Sequence, residues 1–168
     1  MARFELGRVD RSIVEDSLRT ALAAVLSFLI AKLLRMSEAY WATVSAIIVV
    51  QSSLGAAATI SWQRLAGTVL GAGSGALLAT YFRDNLLAFG AGVFLLGILS
   101  ALLRLGNAYR FAGVTLAIIM LIPRDRAAWI IAEHRFIEVT TGIVVGLVLS
   151  GLWPKATPAM RERDAAAP

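Results

Sequence analysis

The chain has 168 residues, of which 58% are hydrophobic and 16% are charged, and its mean hydropathy is +0.75. Soluble domains average about 45–50% apolar and about 25% charged residues, so this composition excludes an ordinary soluble domain and indicates an integral membrane protein. The net charge is +5, but the basic residues lie at the ends of apolar runs, which argues against a nucleic-acid-binding protein. The absence of cysteine excludes disulfides, thiol chemistry and cysteine-based metal sites.

Residues 1–17 mix basic, acidic and apolar residues ahead of the first long apolar run. We interpret them as a cytoplasmic amphipathic segment on the membrane surface, with a solvated extension of the first span as the alternative. A six-span membrane domain follows over residues 18–153, since each apolar run approaches the roughly 20 residues that cross a bilayer. The spans are predicted at about 18–36, 39–58, 65–82, 86–104, 109–123 and 135–153. Residues 154–168 are predicted to form a flexible cytoplasmic tail.

The distribution of Lys and Arg predicts how these spans are oriented. Six spans place both termini on one side of the membrane. Ten of the sixteen Lys and Arg residues fall on that side, and six fall on the other. The positive-inside rule therefore predicts that both termini are cytoplasmic.

The sequence resembles itself when it is shifted by 71 positions. The identical residues include Arg64 on Arg135, Gly71 on Gly142, Gly75 on Gly146 and Ala46-Ile47-Ile48 on Ala117-Ile118-Ile119. Each half holds three spans, an odd number, so the second half would enter the membrane upside down. We therefore predict an all-α fold of six transmembrane helices arranged as two inverted three-helix repeats, about 18–82 and 86–153. The alternative is chance similarity in an apolar sequence.

Small residues at helical spacing predict where helices pack. Gly67, Gly71 and Gly75 form one stripe, and Gly142 and Gly146 form a matching one. Such stripes let helix backbones approach closely in lipid, so we expect spans three and six to pack tightly, against each other or near a pseudo-twofold axis. The stripes lack the lysine of a phosphate-binding loop.

The candidate binding residues are two arginines that the repeat makes equivalent, Arg64 and Arg135. We expect one at each mouth of a pathway, where a guanidinium attracts anions, and the alternative is that each is an interfacial anchor. Gln51 and Thr68 are further substrate-binding candidates, although such residues often bond to neighbouring helices instead. Hydrolase triads, redox motifs and metal clusters are absent from the sequence, so we predict no enzyme, cofactor or metal.

Two further residues are candidates for a proton relay, Glu138 and His134. Glu138 follows Arg135 by one helical turn, so an ion pair between the two is expected. The alternative for His134 is a plain interfacial side chain.

Three motifs in this order resemble the fusaric acid resistance and aromatic acid exporter superfamily. They are Tyr40-Trp41-Ala42, Arg64-x-x-Gly67-Thr68-x-x-Gly71-x-x-x-Gly75 and Trp129-x-x-Ala132-x-x-Arg135-x-x-Glu138-x-x-x-Gly142. The resemblance covers about residues 15–154 and extends distantly to the plant aluminium-activated malate transporters.

The resemblance implies a multi-pass protein of the bacterial inner membrane that exports organic anions, typically aromatic carboxylates, using the proton-motive force. Because the malate transporters are dimeric channels with basic pore residues, it also implies a homodimer and marks Arg64 and Arg135 as anion contacts. The chain is shorter than typical exporters of this superfamily. A passive anion channel and a non-transporting scaffold or modulator of a partner complex are therefore the alternative functions.

Overall fold

The computed structural model describes residues 11–50, 53–82, 84–122 and 126–152, and this part of the chain is all helical. Its six helices are α1 (Arg11–Leu33), α2 (Tyr40–Val50), α3 (Leu54–Phe82), α4 (Leu86–Leu102), α5 (Ala108–Leu121) and α6 (Ala128–Leu152). The predicted all-α class is confirmed. The predicted tail lies outside the described residues, and of the predicted N-terminal segment only residues from 11 onward are described, where α1 already begins.

Two helices, α3 with 29 residues and α6 with 25, are long and apolar enough to cross a bilayer by length and composition. A core helix of a soluble protein can pass the same test, but it is mostly buried. Only 33% and 44% of the most apolar windows of α3 and α6 are buried inside the protein. Both helices therefore turn apolar surface outward, as expected for contact with lipid.

The predicted boundaries of several spans are wrong, most clearly for the second and third. We expected a span over 39–58 and another from 65, whereas α2 ends at Val50 and α3 begins at Leu54. The amide of Ala57 donates to the carbonyl of Ser53, which opens the first turn of α3 well before the predicted start. The sixth helix likewise begins before its predicted start. Both arginines that we expected at span ends therefore lie inside helices.

The helices contact one another in two matched sets. Helix α3 packs along α5, and α6 packs along α2; α1 contacts α2 and α6, and α4 contacts α5 and α3. Helices α3 and α6 also contact each other, as do α2 with α3 and α5 with α6. Exchanging α1 with α4, α2 with α5 and α3 with α6 leaves this set of contacts unchanged.

Helices α1 and α4 end in the same local structure. Arg35 and Arg104 adopt left-handed backbone conformations, with φ of 55° and 54°. The amide of each arginine donates to the carbonyl three residues earlier, and the next amide donates to the carbonyl five residues earlier. This is the Schellman arrangement, in which the left-handed position is usually glycine.

Candidate functional site

Arg64 is buried in the middle of the helix bundle. It lies ten residues after the start of α3, about 15 Å along the helix, and 6% of it is exposed. Its Nε donates to Ser45 Oγ on α2 at 3.1 Å, and its guanidinium carbon lies 5.1 Å from the centre of the Phe111 ring on α5. Ser45 Oγ in turn donates to the carbonyl of Trp41 at 2.8 Å. Arg64 is therefore held by both halves of the chain.

Arg135 occupies the corresponding place on α6, and 2% of it is exposed. Its guanidinium carbon lies 3.7 Å from the centre of the Trp41 ring on α2, a close cation–π contact. Its Nη1 lies 3.4 Å from Oε2 of Glu138, one turn further along α6. The other carboxylate oxygen of Glu138 accepts the backbone amide of Glu38 at 3.0 Å.

The two arginines line one cavity of about 180 Å³, which we call the inner cavity. Its other lining residues are aromatic, aliphatic or hydroxyl-bearing: Trp41, Val44, Ile48, Thr68, Phe111, Val114, Thr115 and Val139. The expectation of one arginine at each mouth is therefore wrong. Because both helices begin well before their arginines, the two charges meet inside the bundle.

A second, larger hollow adjoins the inner cavity at Arg135. It measures about 320 Å³, is lined by Ser37, Glu38, Arg126, Ile131, His134, Arg135 and Glu138, and is called the vestibule below. A further hollow that extends to Arg35 and Met36 shares Ser37, Arg126, His134 and Glu138 with it. Arg135 therefore lies where the vestibule meets the inner cavity.

The other predicted binding and relay residues are partly gathered here. Thr68 lines the inner cavity, and its hydroxyl donates to the Arg64 carbonyl at 2.8 Å. His134 lines the vestibule, where its Nδ1 lies 3.5 Å from Ser37 Oγ and 3.5 Å from Arg126 Nη1. Gln51 lies outside the described residues.

The glycine stripes lie at two helix contacts. Helices α3 and α6 do contact each other, but the stripe of α3 lies against α5 and the stripe of α6 lies against α2. Gly71 approaches Ala112 and Thr115 of α5 so closely that a Cβ would meet the Ala112 carbonyl oxygen. Gly142 approaches Ala42 and Ser45 of α2 in the same manner. Gly67 and Gly75 extend the contact with α5, and Gly146 extends the contact with α2. These contacts bring α2 and α5, with their aromatic side chains, against the two arginine-bearing helices.

Four residues that build the site were not among the predicted binding residues: Trp41, Ser45, Phe111 and Thr115. Of these, only Trp41 belongs to a motif that the sequence pointed to, the first family motif. A signal was present, since Trp41 and Phe111 are 70 positions apart, as are Ser45 and Thr115. A search for repeats that allowed gaps would have paired them.

This arrangement combines two groups that an anion-binding site requires. Two buried guanidinium groups supply positive charge and hydrogen-bond donors, and the aromatic walls supply apolar surface. Within the described ranges, no three His, Cys, Asp or Glu side chains group together to hold a metal ion.

Comparison with known proteins places the chain in a family. Proteins named uncharacterized transporter YdhK, from Escherichia coli K12 and from Escherichia coli O157:H7, are each 32% identical over 153 residues. The protein of the same name from Salmonella typhimurium is 28% identical over 151 residues. These matches cover 84–85% of this chain but 22–23% of the relatives, so the chain spans less than a quarter of their length. No solved structure matches the chain. The family model described as fusaric acid resistance protein-like matches residues 23–149, and the chain belongs to that family, as the motifs predicted.

Proposed function

We propose that this chain forms a pathway that exports organic anions, with aromatic carboxylates as the substrate class, across a bacterial inner membrane. The observation that carries the proposal is the convergence of Arg64 and Arg135, both buried, on one cavity. A buried cation is costly in an apolar bundle unless it is paired, and two in one cavity create strong demand for an anion. The relatives are named transporters, which supports a role in transport.

The walls of the inner cavity support this choice of substrate class. The described lining residues include two arginines and no carboxylate, so the cavity favours a negatively charged guest. Trp41 and Phe111 offer flat apolar faces, which suit an aromatic ring beside its carboxylate. A guanidinium fork binds a carboxylate with two parallel hydrogen bonds, which gives orientation as well as affinity.

The membrane arrangement is proposed as two inverted three-helix repeats with both termini in the cytoplasm. The unchanged contact set under exchange of α1–α3 with α4–α6 supports the repeat. The matching helix ends at Arg35 and Arg104 support it independently. Transporter folds of this kind place their site between the repeats, near the midplane, which agrees with a cavity built by both halves.

Energy coupling and assembly are further parts of the proposal. His134 and Glu138 both line the vestibule, so they are placed to pass protons along the route that the anion takes. We also propose a homodimer. The outer faces of α1 and α4 expose large apolar side chains such as Leu29 and Phe94, which lipid or a second copy can cover.

The test is anion flux in proteoliposomes that contain the purified full chain. Benzoate and malate uptake are compared between the wild type, Arg64→Gln, Arg135→Gln and the double variant, with and without a proton gradient. Loss of one charge-assisted contact weakens binding by about 1.5–3 kcal/mol, so each single variant should lose roughly tenfold or more of flux at low benzoate. Arg104→Gln is the matched control, because this arginine is exposed at the end of α4.

The outcomes separate the rival functions. Flux without a proton gradient indicates a passive channel, whereas flux that requires the gradient indicates an exporter. Folded wild-type protein that passes neither anion would refute transport by this chain and favour a scaffold or modulator of a partner complex.

A further inference from the structure

Glu138 holds Arg135 at the junction between the vestibule and the inner cavity. Its carboxylate is 1% exposed, and its Oε2 lies 3.4 Å from Arg135 Nη1. Charge-assisted hydrogen bonds are usually about 2.7–2.9 Å long, so this contact is loose. Because this contact is long, a second carboxylate can replace it at Arg135 while the other oxygen of Glu138 keeps the Glu38 amide.

The two arginines differ in this respect. The residue one turn after Arg135 is Glu138, whereas the residue one turn after Arg64 is Gly67, which packs against the backbone of α5. The hydrogen-bond acceptor of the Arg64 Nε is the neutral hydroxyl of Ser45. Within the described residues Arg64 forms no salt bridge, so the charge of Arg64 is available to an anion and that of Arg135 is already partly neutralised.

We propose that Glu138 is an internal competitor of the transported anion, which must displace this carboxylate from Arg135 to pass between the vestibule and the inner cavity. The inference rests on the proposed function and adds a specificity-determining residue to it. A competitor at this point weakens binding of the guest, and weak binding lets an anion leave again, which conduction requires. An anion that enters from the vestibule would then interact first with Arg135 and then with both arginines.

Glu138 also has a structural contact that any test must preserve. Its Oε1 accepts the amide of Glu38, just before α2 begins, and so ties α6 to that helix end. Glutamine keeps an oxygen acceptor for this amide but removes the negative charge. The variant Glu138→Gln therefore separates competition for Arg135 from the attachment of α2.

The experiment measures benzoate binding to the full chain in lipid nanodiscs by titration calorimetry. We expect Glu138→Gln to tighten benzoate binding about tenfold, since removing the competing charge returns one charge-assisted contact to the guest. Glu133→Gln is the matched control, because Glu133 is exposed on the same helix, and it should leave the affinity unchanged. In an Arg135→Gln background the effect of Glu138→Gln should disappear.

Three results would overturn the inference. The first is an unchanged or weaker affinity in Glu138→Gln with a wild-type thermal unfolding midpoint. If glutamine lowers that midpoint, Glu138→Asp is measured instead, because the shorter side chain withdraws the charge from Arg135 by one methylene. The second result is an unchanged benzoate affinity in Glu138→Asp. If the wild type binds benzoate and the variant without Arg64 and Arg135 does not, these two results refute only the role of Glu138 as a competitor and leave the proposed function standing. The third is no benzoate binding by wild type or Glu138→Gln, which refutes the proposed function as well.

Discussion

Replacing a glycine at the contact between α3 and α5 should destabilise the protein, whereas the same change two residues further along should not. A Cβ at Gly71 would meet the Ala112 carbonyl oxygen and lie 2.9 Å from both the Ala112 Cα and the Thr115 Cβ. A Cβ at Gly73, on the same helix, meets nothing within 4 Å. Gly71→Ala and Gly73→Ala are therefore a matched pair that differs in packing alone.

The magnitude follows from two opposing effects. Alanine favours a helix over glycine by about 1 kcal/mol, and this gain is shared by both variants and cancels in their difference. Overpacking a well-packed contact costs about 1–3 kcal/mol. The obstacles at Gly71 are mainly backbone atoms, which cannot rotate away, so we expect the upper end. Gly71→Ala should be about 3 kcal/mol less stable than Gly73→Ala, and Gly73→Ala should equal or exceed the wild type.

The measurement is reversible unfolding of the purified protein in mixed micelles, titrated with sodium dodecyl sulfate and followed by circular dichroism. The pair Gly142→Ala and Gly151→Ala on α6 repeats the comparison at the contact with α2, since a Cβ at Gly151 meets nothing within 4 Å. Equal stability of Gly71→Ala and Gly73→Ala would show that α3 and α5 are not in close backbone contact, and the packing described above would be refuted.

Two other predictions concern single side chains. Trp41→Leu removes an aromatic wall of the inner cavity, so benzoate affinity should fall about fivefold, the equivalent of about 1 kcal/mol for one aromatic contact with the guest. Trp62→Leu, on the exposed face of α3, should leave the affinity unchanged. Equal effects of the two variants in calorimetry would contradict this role of Trp41. Arg104→Gly should stabilise the protein by about 1 kcal/mol because glycine adopts the left-handed backbone without strain. Arg104→Ala, which also removes the side chain, should give no such gain in unfolding titrations, and equal stability of the two variants would argue against strain at this position.

The sequence was informative where a feature depends on residue type and local spacing. The all-helical class follows from long apolar runs, and the family follows from motifs around Trp41, Arg64 and Arg135. The boundary between α2 and α3 could not be predicted from residue type and local spacing. Residues 39–63 hold no charge, so charge gives no sign that α2 stops at Val50 after 11 residues, and the polar run Gln51-Ser52-Ser53 is short enough to fit inside a longer span. The expectation of spans near 20 residues placed the break too late along the chain.

The predicted fifth span, 109–123, is shorter than the predicted second span, 39–58, because only 13 residues separate Arg110 from Arg124. In the structure both are short, with 11 residues in α2 and 14 in α5. The two helices fill corresponding positions, so shortness is a common feature of the halves. Charged residues flank α5, so the sequence indicates that this helix is short. No charged residue follows α2 before Arg64, so the sequence does not indicate that α2 is short.

The offset between matching positions also changes along the chain, which a gap-free comparison does not allow. Arg35 and Arg104, at the matching helix ends, are 69 positions apart. The glycine contacts pair Ser45 with Thr115, 70 positions apart, and Gly71 with Gly142, 71 positions apart. The second half therefore has one residue more between Arg104 and Thr115 than the first has between Arg35 and Ser45. It also has one residue more between Thr115 and Gly142 than the first has between Ser45 and Gly71. A fixed shift of 71 therefore aligns α3 with α6 and misaligns the partners of the arginines.

The inner cavity depends on both halves of the chain because each guanidinium lies over an aromatic ring of the opposite half. Arg64 of α3 lies over Phe111 of α5, and Arg135 of α6 lies over Trp41 of α2. Either half alone would leave its guanidinium in apolar surroundings without the ring that partly offsets the lost hydration, which is costly for a buried charge. The lining of the cavity therefore needs helices of both halves, α2 and α3 from the first and α5 and α6 from the second. A change at the contact between α3 and α5 or between α2 and α6 should then affect anion binding through the arginines, even where the altered residue does not line the cavity.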